Sequence, residues 1–252
     1  VTEKKVNLLD LGLEQEDEYQ GRVVGFLRGD INHIFQQTDV LAGKTQFSLD
    51  ENSLEIISYS GRYTQPWLLN MVPVSFSFGF WDEYRHEFLT IDRSRTELHK
   101  ITRLGTDVVL GFPLIRDRLM LLTRYKAEKV VPPSQLSPYT ISSLAGILSY
   151  QSISNWNNPK RGTYWKLEIE KGGNLGVINL RGLDFSRVNI KYATFFQLSK
   201  ASVLGFHNYM GIFRSSHENI NTFDAEGYEI GGAASLRGYK EEYAFIGSRK
   251  IA

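Results

Sequence analysis

Four groups of residues have types and spacings that could do chemistry. Gly43, Lys44 and Thr45 form the ending of a phosphate-cradling loop, in which backbone N–H groups and the lysine hold a nucleotide. Thr38 stands where that loop needs its first glycine, and the flanking residues alternate as a strand does, so nucleotide binding is set aside. The five histidines, His33, His86, His99, His207 and His217, form no HExxH motif and no close His/Asp spacing, which argues against a zinc site. No GxSxG elbow is present. Glu168 and Glu170 share one face of YWKLEIEK; two carboxylates can work as acid and base, yet such pairs are ordinary on a polar strand face. The chain is therefore read as a non-enzyme, with no catalytic residue, no metal site and no cofactor. The fourth group is SLRGY, Ser235 to Tyr239, preceded by Gly231 and Gly232 near the end of the chain. The bland reading is an arginine in a solvated loop beside a turn glycine. The sharper one is an arginine, charged at any relevant pH, that needs a carboxylate partner once partly desolvated.

The elements that carry these residues are strands. With 252 residues the chain has room for one large β domain or two ordinary ones. A net charge of +1 and 23% charged residues show no bias towards nucleic acid. Zero cysteines exclude a disulfide scaffold and cysteine-ligated zinc. Abundant aromatic residues and glycine, against 3 Met, favour strands over helices. The opening VTEKKVNLLD has no apolar signal core, so any signal peptide is expected to be removed or to lie upstream. Tyr63 to Trp81 is uncharged over the length of a spanning helix, but Pro66 and Pro73 break it. Val74, Phe76, Phe78 and Phe80 then alternate with Ser75, Ser77 and Gly79, which is a turn feeding a strand.

The same period recurs. Arg118, Arg124, Lys126 and Glu128 share one face, and Leu119, Leu121, Tyr125 and Ala127 the other. Trp165, Leu167 and Ile169 oppose Lys166, Glu168 and Glu170; Val188, Ile190, Tyr192 and Phe196 oppose Arg187, Asn189 and Lys191. The pattern predicts eleven strands, at about 5–15, 20–30, 38–49, 53–64, 72–82, 99–112, 118–129, 144–154, 163–171, 184–196 and 202–214. Connections after even strands read as mostly short. Several after odd strands read as long: Tyr84 to Leu98, VVPPSQLSPYTISS, GGNLGVINLRG, and Ser215 to about Gly247.

A soluble sandwich also alternates, so three further features decide for lipid. The strands approach the 9–11 residues of a tilted transmembrane strand. Aromatic residues (Tyr63, Trp67, Trp81, Tyr125, Tyr150, Trp156, Trp165) cluster at predicted strand ends, and loop lengths alternate. Bacterial barrels close with an even strand number, and an open edge in hydrocarbon leaves backbone groups unpaired. The eleven strands are accordingly expected to be part of a larger barrel.

On these residues the chain resembles the BamA and TamA outer-membrane assembly family. SLRGY resembles that family's (V/L)RG(F/Y) signature in the long loop after its eleventh strand, the position reached by counting strands here. GTDVVLGFP (Gly105 to Pro113) is similar to its sixth strand, NWNNPKRGTYWKLEIE to its turn between strands eight and nine, and YTQPW to the end of its fourth strand. The resemblance implies an all-β fold, an antiparallel transmembrane β-barrel of the sixteen-strand type. Residues 1–214 would supply strands 1 to 11, 215–247 the sixth outer loop, and 248–252 the start of the next strand, with soluble N-terminal modules and C-terminal strands lying elsewhere. It implies that the loop folds into the lumen, with Leu236, Arg237, Gly238 and Tyr239 and the flexible Gly231 and Gly232 forming its motif. It implies a lateral seam at the first strand, here Val6, Leu8, Leu9, Leu11 and Leu13, where incoming strands add by main-chain pairing. The implied location is the bacterial outer membrane, N-terminus towards the periplasm. The implied partners are the lipid bilayer, unfolded barrel substrates and periplasmic or lipoprotein accessory subunits, with no nucleic acid. The alternatives are a two-partner secretion transporter, a passive porin-like channel and a soluble β-sandwich binding module.

Overall fold

A computed structural model describes residues 7–15, 23–32, 39–50, 53–68, 73–91, 95–115, 118–132, 137–153, 155, 159–176, 178–199 and 202–215. Its elements are all strands: β1 (Leu8–Gln15), β2 (Val23–Asn32), β3 (Val40–Asp50), β4 (Ser53–Gln65), β5 (Ser75–Ile91), β6 (Arg95–Ile115), β7 (Leu119–Val131), β8 (Tyr139–Gln151), β9 (Gly162–Gly172), β10 (Phe185–Gln197) and β11 (Val203–Ser215). They form one antiparallel sheet in which sequence neighbours are spatial neighbours, from β1 to β11. All eleven predicted strands are present, in the predicted order. Among the described residues the sheet is open between β1 and β11.

Period two now has a physical meaning on each face. On one face lie Phe78, Phe80, Leu104, Phe112, Leu121, Tyr125, Leu144, Ile169, Tyr192, Phe206, Met210 and Ile212, all exposed. On the other, Arg103, Asp107, Glu128, Ser143, Glu168 and Glu170 are buried although, among the described residues, no second layer covers them. A single sheet can do this only by curling, so that long polar side chains pack over one another on the concave face. Charges inside and aliphatic residues outside is the inverse of a soluble domain and the arrangement of a barrel in lipid. The outer band on β10 runs from Val188 to Leu198, about 33 Å along the strand, or about 25 Å of height at a tilt near 40°.

Glycines seat the aromatic rings. Phe26 lies directly across the ladder from Gly12, Phe47 from Gly25, Phe80 from Gly61, Trp81 from Gly105, Phe185 from Gly172 and Phe195 from Gly205. At the first five of these glycines an added Cβ would collide with the facing ring, at 2.5 Å for Gly12 and Gly61, and at Gly205 it would be tight at 3.0 Å. The missing side chain is where the partner packs.

The connections depart from expectation. Tyr84 to Leu98 was expected as a loop; instead β5 and β6 continue as a paired ribbon to Ile91↔Arg95. Half of the expected loop VVPPSQLSPYTISS is strand, with Val130 and Val131 in β7 and Tyr139 to Ser143 in β8. The expected alternation of short and long connections also fails here. The turns at 66–74 and 152–161 are as long as the loop at 132–138, because the extra residues on the other side extend strands rather than loops.

The loop between β9 and β10 folds back onto β8. Gly173 N donates to Ser142 O and Leu183 N to Thr140 O. Gly182 has φ 81° and sits so close to the Thr140 carbonyl that a Cβ would strike it, so this corner needs glycine. The loop thereby delivers Leu183 to a buried apolar cluster of Ile101, Val130, Ile141 and Phe185, flanked by Tyr139 and Phe213.

Candidate functional site

The concave wall carries the chemistry, and register explains its geometry. Arg62, Gly79 and Asp107 lie in one row across β4, β5 and β6. Because Gly79 has no side chain, Arg62 reaches over β5 and its Nη2 meets both Asp107 oxygens at 2.9 Å. A Cβ at position 79 would fall 2.5 Å from Asp107 Oδ1 and 2.8 Å from Arg62 Nη2. Trp81, Gly105 and Glu128 repeat the device one strand on, with Trp81 Nε1 donating to Glu128 Oε1 at 3.2 Å. Arg124, Ala145, Glu170 and Arg187 form a third row across β7 to β10. Over the small Ala145, Arg124 Nη2 reaches Glu168 Oε1 at 2.7 Å and Glu170 Oε2 at 3.5 Å.

The remaining contacts neutralise the wall. Glu128 also accepts from Arg103 at 3.5 Å and Lys126 at 3.3 Å. Lys166 lies 2.7 Å from Glu168. Glu170, 1% exposed, receives Ser143 Oγ at 2.6 Å and lies 3.6 Å from Arg187 Nη1. The Arg187 guanidinium in turn sits over the rings of Phe185 and Phe213, joining the charged rows to the apolar cluster. Four inward carboxylates therefore each have a cation, and each row ties a strand to its second neighbour. Such a wall braces the sheet, with charges of both signs interleaved along it.

The half-exposed Arg62 is where the bracing should count least. A double-mutant cycle of Arg62→Ala and Asp107→Ala is expected to give a coupling of about 1 kcal/mol or less. Urea unfolding in lipid vesicles would measure it, and a coupling above about 3 kcal/mol would contradict the solvated placement.

The sequence-predicted site residues divide. Leu8, Leu9 and Leu11 lie on β1, exposed by 53%, 76% and 70%. Register puts Leu9 and Leu11 on the outer face, across from Gly29 and Leu27, and Leu8 on the inner face opposite Asp30, while the Leu13 backbone pairs with Gly25. Val6 lies outside the described residues, as do Gly231, Gly232, Leu236, Arg237, Gly238 and Tyr239. The Arg62, Trp81 and Arg124 rows were not anticipated, although Arg124, Lys126 and Glu128 were placed on one face. Glycine inside an otherwise regular strand, at Gly79 and Gly105, was the available signal.

A search of curated proteins finds no match to this chain. A family model does match: the Omp85 superfamily domain, over residues 44–251, which is most of the chain. The match agrees with the antiparallel sheet, its lipid-type outer face and its polar inner one, and it makes the sheet part of an outer-membrane β-barrel. The chain belongs to the Omp85 superfamily.

Proposed function

We propose that this chain forms the barrel of an outer-membrane assembly factor, which folds and inserts other β-barrel proteins through a lateral seam at β1. The superfamily includes both assembly factors and two-partner secretion transporters, and the observation that carries the assembly reading is the contrast between β1 and the middle of the sheet. β1 spans Leu8–Gln15 among the described residues and bears the highly exposed Leu9 and Leu11. Among the described residues the ion pair on its neighbour, Arg28–Asp30, stays within β2, whereas side chains tie β4 to β6, β5 to β7 and β7 to β9. A compliant terminal strand beside a braced wall suits β-augmentation, in which an incoming strand gains main-chain hydrogen bonds one at a time.

In this reading the N-terminus faces the periplasm and the odd-to-even loops face outward. Partners are the bilayer, unfolded barrel substrates and periplasmic or lipoprotein accessory subunits. Arg237, in the Leu236–Tyr239 motif beside Gly231 and Gly232, anchors its loop to an acidic group on the strands that follow it. The paired wall charges favour this reading over a porin-like channel.

The test is reconstitution of the full-length protein in vesicles, with a urea-denatured barrel protein as substrate and protease protection as readout. Insertion at least about tenfold faster than into empty vesicles is expected. An unchanged insertion rate would exclude the assembly function, and export of a single partner without insertion would establish the transporter instead.

A further inference from the structure

We infer that the outer face of β9, β10 and β11 holds an anionic, phosphate-bearing lipid at its loop-side rim. Lys171, Ser186 and Arg214 are register partners on three adjacent strands and share the lipid-facing parity. Adjacent strands lie about 4.8 Å apart, so the two cations flank the serine hydroxyl within about 10 Å, the span of one phosphorylated headgroup. Directly beneath them on the same face follow Ile169, Val188 and Ile212, then Leu167, Ile190 and Met210, then Trp165, Tyr192 and Asn208. A cation row, two aliphatic rows and an aromatic row match a lipid from phosphate to acyl chain.

The charge balance favours an anion. Among the described residues the loop-side rim from β7 to β11 carries the exposed Lys129, Arg181 and Arg214 and the half-buried Lys171, against one half-buried acid, Asp184. Asp184 takes one donor of Lys171, and among the described residues the other two N–H groups of that ammonium have no acidic partner. Arg214 makes no ion pair among the described residues and is exposed beside Ile212. An arginine at the edge of an apolar band finds its partner most economically in a lipid phosphate, which it binds with two parallel N–H bonds. The occupant is thus a lipid whose acyl chains cover the aliphatic rows, and not a free anion, which would leave those rows unused.

The inference rests on the orientation given above, with this rim outward. The probe is lipid A, titrated into the full-length detergent-solubilised protein and counted as bound lipid by native mass spectrometry. The wild-type chain is expected to bind it, and the K171A/R214A variant to bind about tenfold more weakly. K160A/R161A, on the opposite rim, is expected to bind as wild type does. With the wild-type protein alone, dephosphorylated lipid A is expected to bind as weakly as lipid A does to the double variant. Millimolar inorganic phosphate is expected to displace nothing. Equal binding by wild type and double variant, equal binding of the dephosphorylated lipid, an equal loss in K160A/R161A, or displacement by inorganic phosphate would each overturn the site. Orientation is read separately, by labelling a cysteine at R181C on intact cells with an impermeant maleimide, so its failure is distinguishable.

Discussion

Glu170→Ala is expected to destabilise the folded barrel by about 3 kcal/mol, the largest effect of any single inner-wall substitution. Glu170 is 1% exposed and is the one carboxylate that faces Arg124, Arg187 and Ser143 together. Removing it leaves Arg187 and Ser143 facing an empty space and Arg124 with Glu168 alone, and under-compensated buried charge is the costly half of a broken ion pair. The side chains of Arg124 and Arg187 are 23% and 17% exposed, so some hydration returns and the loss falls at the low end of the buried range. Glu170→Gln, which keeps the shape and the Ser143 contact, is expected to lose less. Urea-dependent unfolding in lipid vesicles, followed by the heat-shifted mobility of folded barrels on gels, measures both. A loss below about 0.5 kcal/mol for the alanine variant would mean that the third row is not a brace.

Gly105→Leu is expected to be nearly as damaging, at about 3 kcal/mol, for a reason of shape. Trp81 lies over Gly105 so closely that even a Cβ would overlap its ring. A leucine must drive the indole off the wall, which costs overpacking and also removes the 3.2 Å bond from Trp81 Nε1 to Glu128. Gly146→Ala is the matched control, since nothing lies within 4 Å of the added Cβ. Relief of glycine's backbone freedom is expected to make that variant neutral or stabilising by up to about 1 kcal/mol. Equal destabilisation at positions 105 and 146 would show that the sheet resists any substitution of glycine, and that the ring-over-glycine contact is not special.

The strands were legible because one side of a barrel wall is selected by lipid and the other by water. Val188, Ile190 and Tyr192 against Arg187, Asn189 and Lys191 leave no other reading of β10. That signal lapses where the strands outrun the apolar band. In YRHEFLTI of β5 both parities mix polar and apolar residues, so continuation to Ile91 could not be read from alternation. The three bracing rows depend on register across three or four strands. Arg62 and Asp107 are separated by two turns in sequence, and only the ladder brings them level. Gly79 and Gly105 did carry a local hint of close approach, but a glycine does not name the side chain that crosses it. On β1 the leucines were picked out as a group; register divides them, Leu9 and Leu11 outward and Leu8 inward.

The central claim, that one face of this sheet meets lipid while the other is a charged inner wall, is tested most directly along β10. The native chain has no cysteine, so each residue from Arg187 to Tyr192 can be replaced singly by cysteine and spin-labelled in vesicles. Collision rates with oxygen, concentrated in lipid, and with a water-soluble nickel chelate are then compared by paramagnetic resonance. The account predicts high oxygen access at 188, 190 and 192 and high nickel access at 187, 189 and 191, alternating residue by residue. Equal nickel access at all six positions would place both faces in water and contradict the membrane wall.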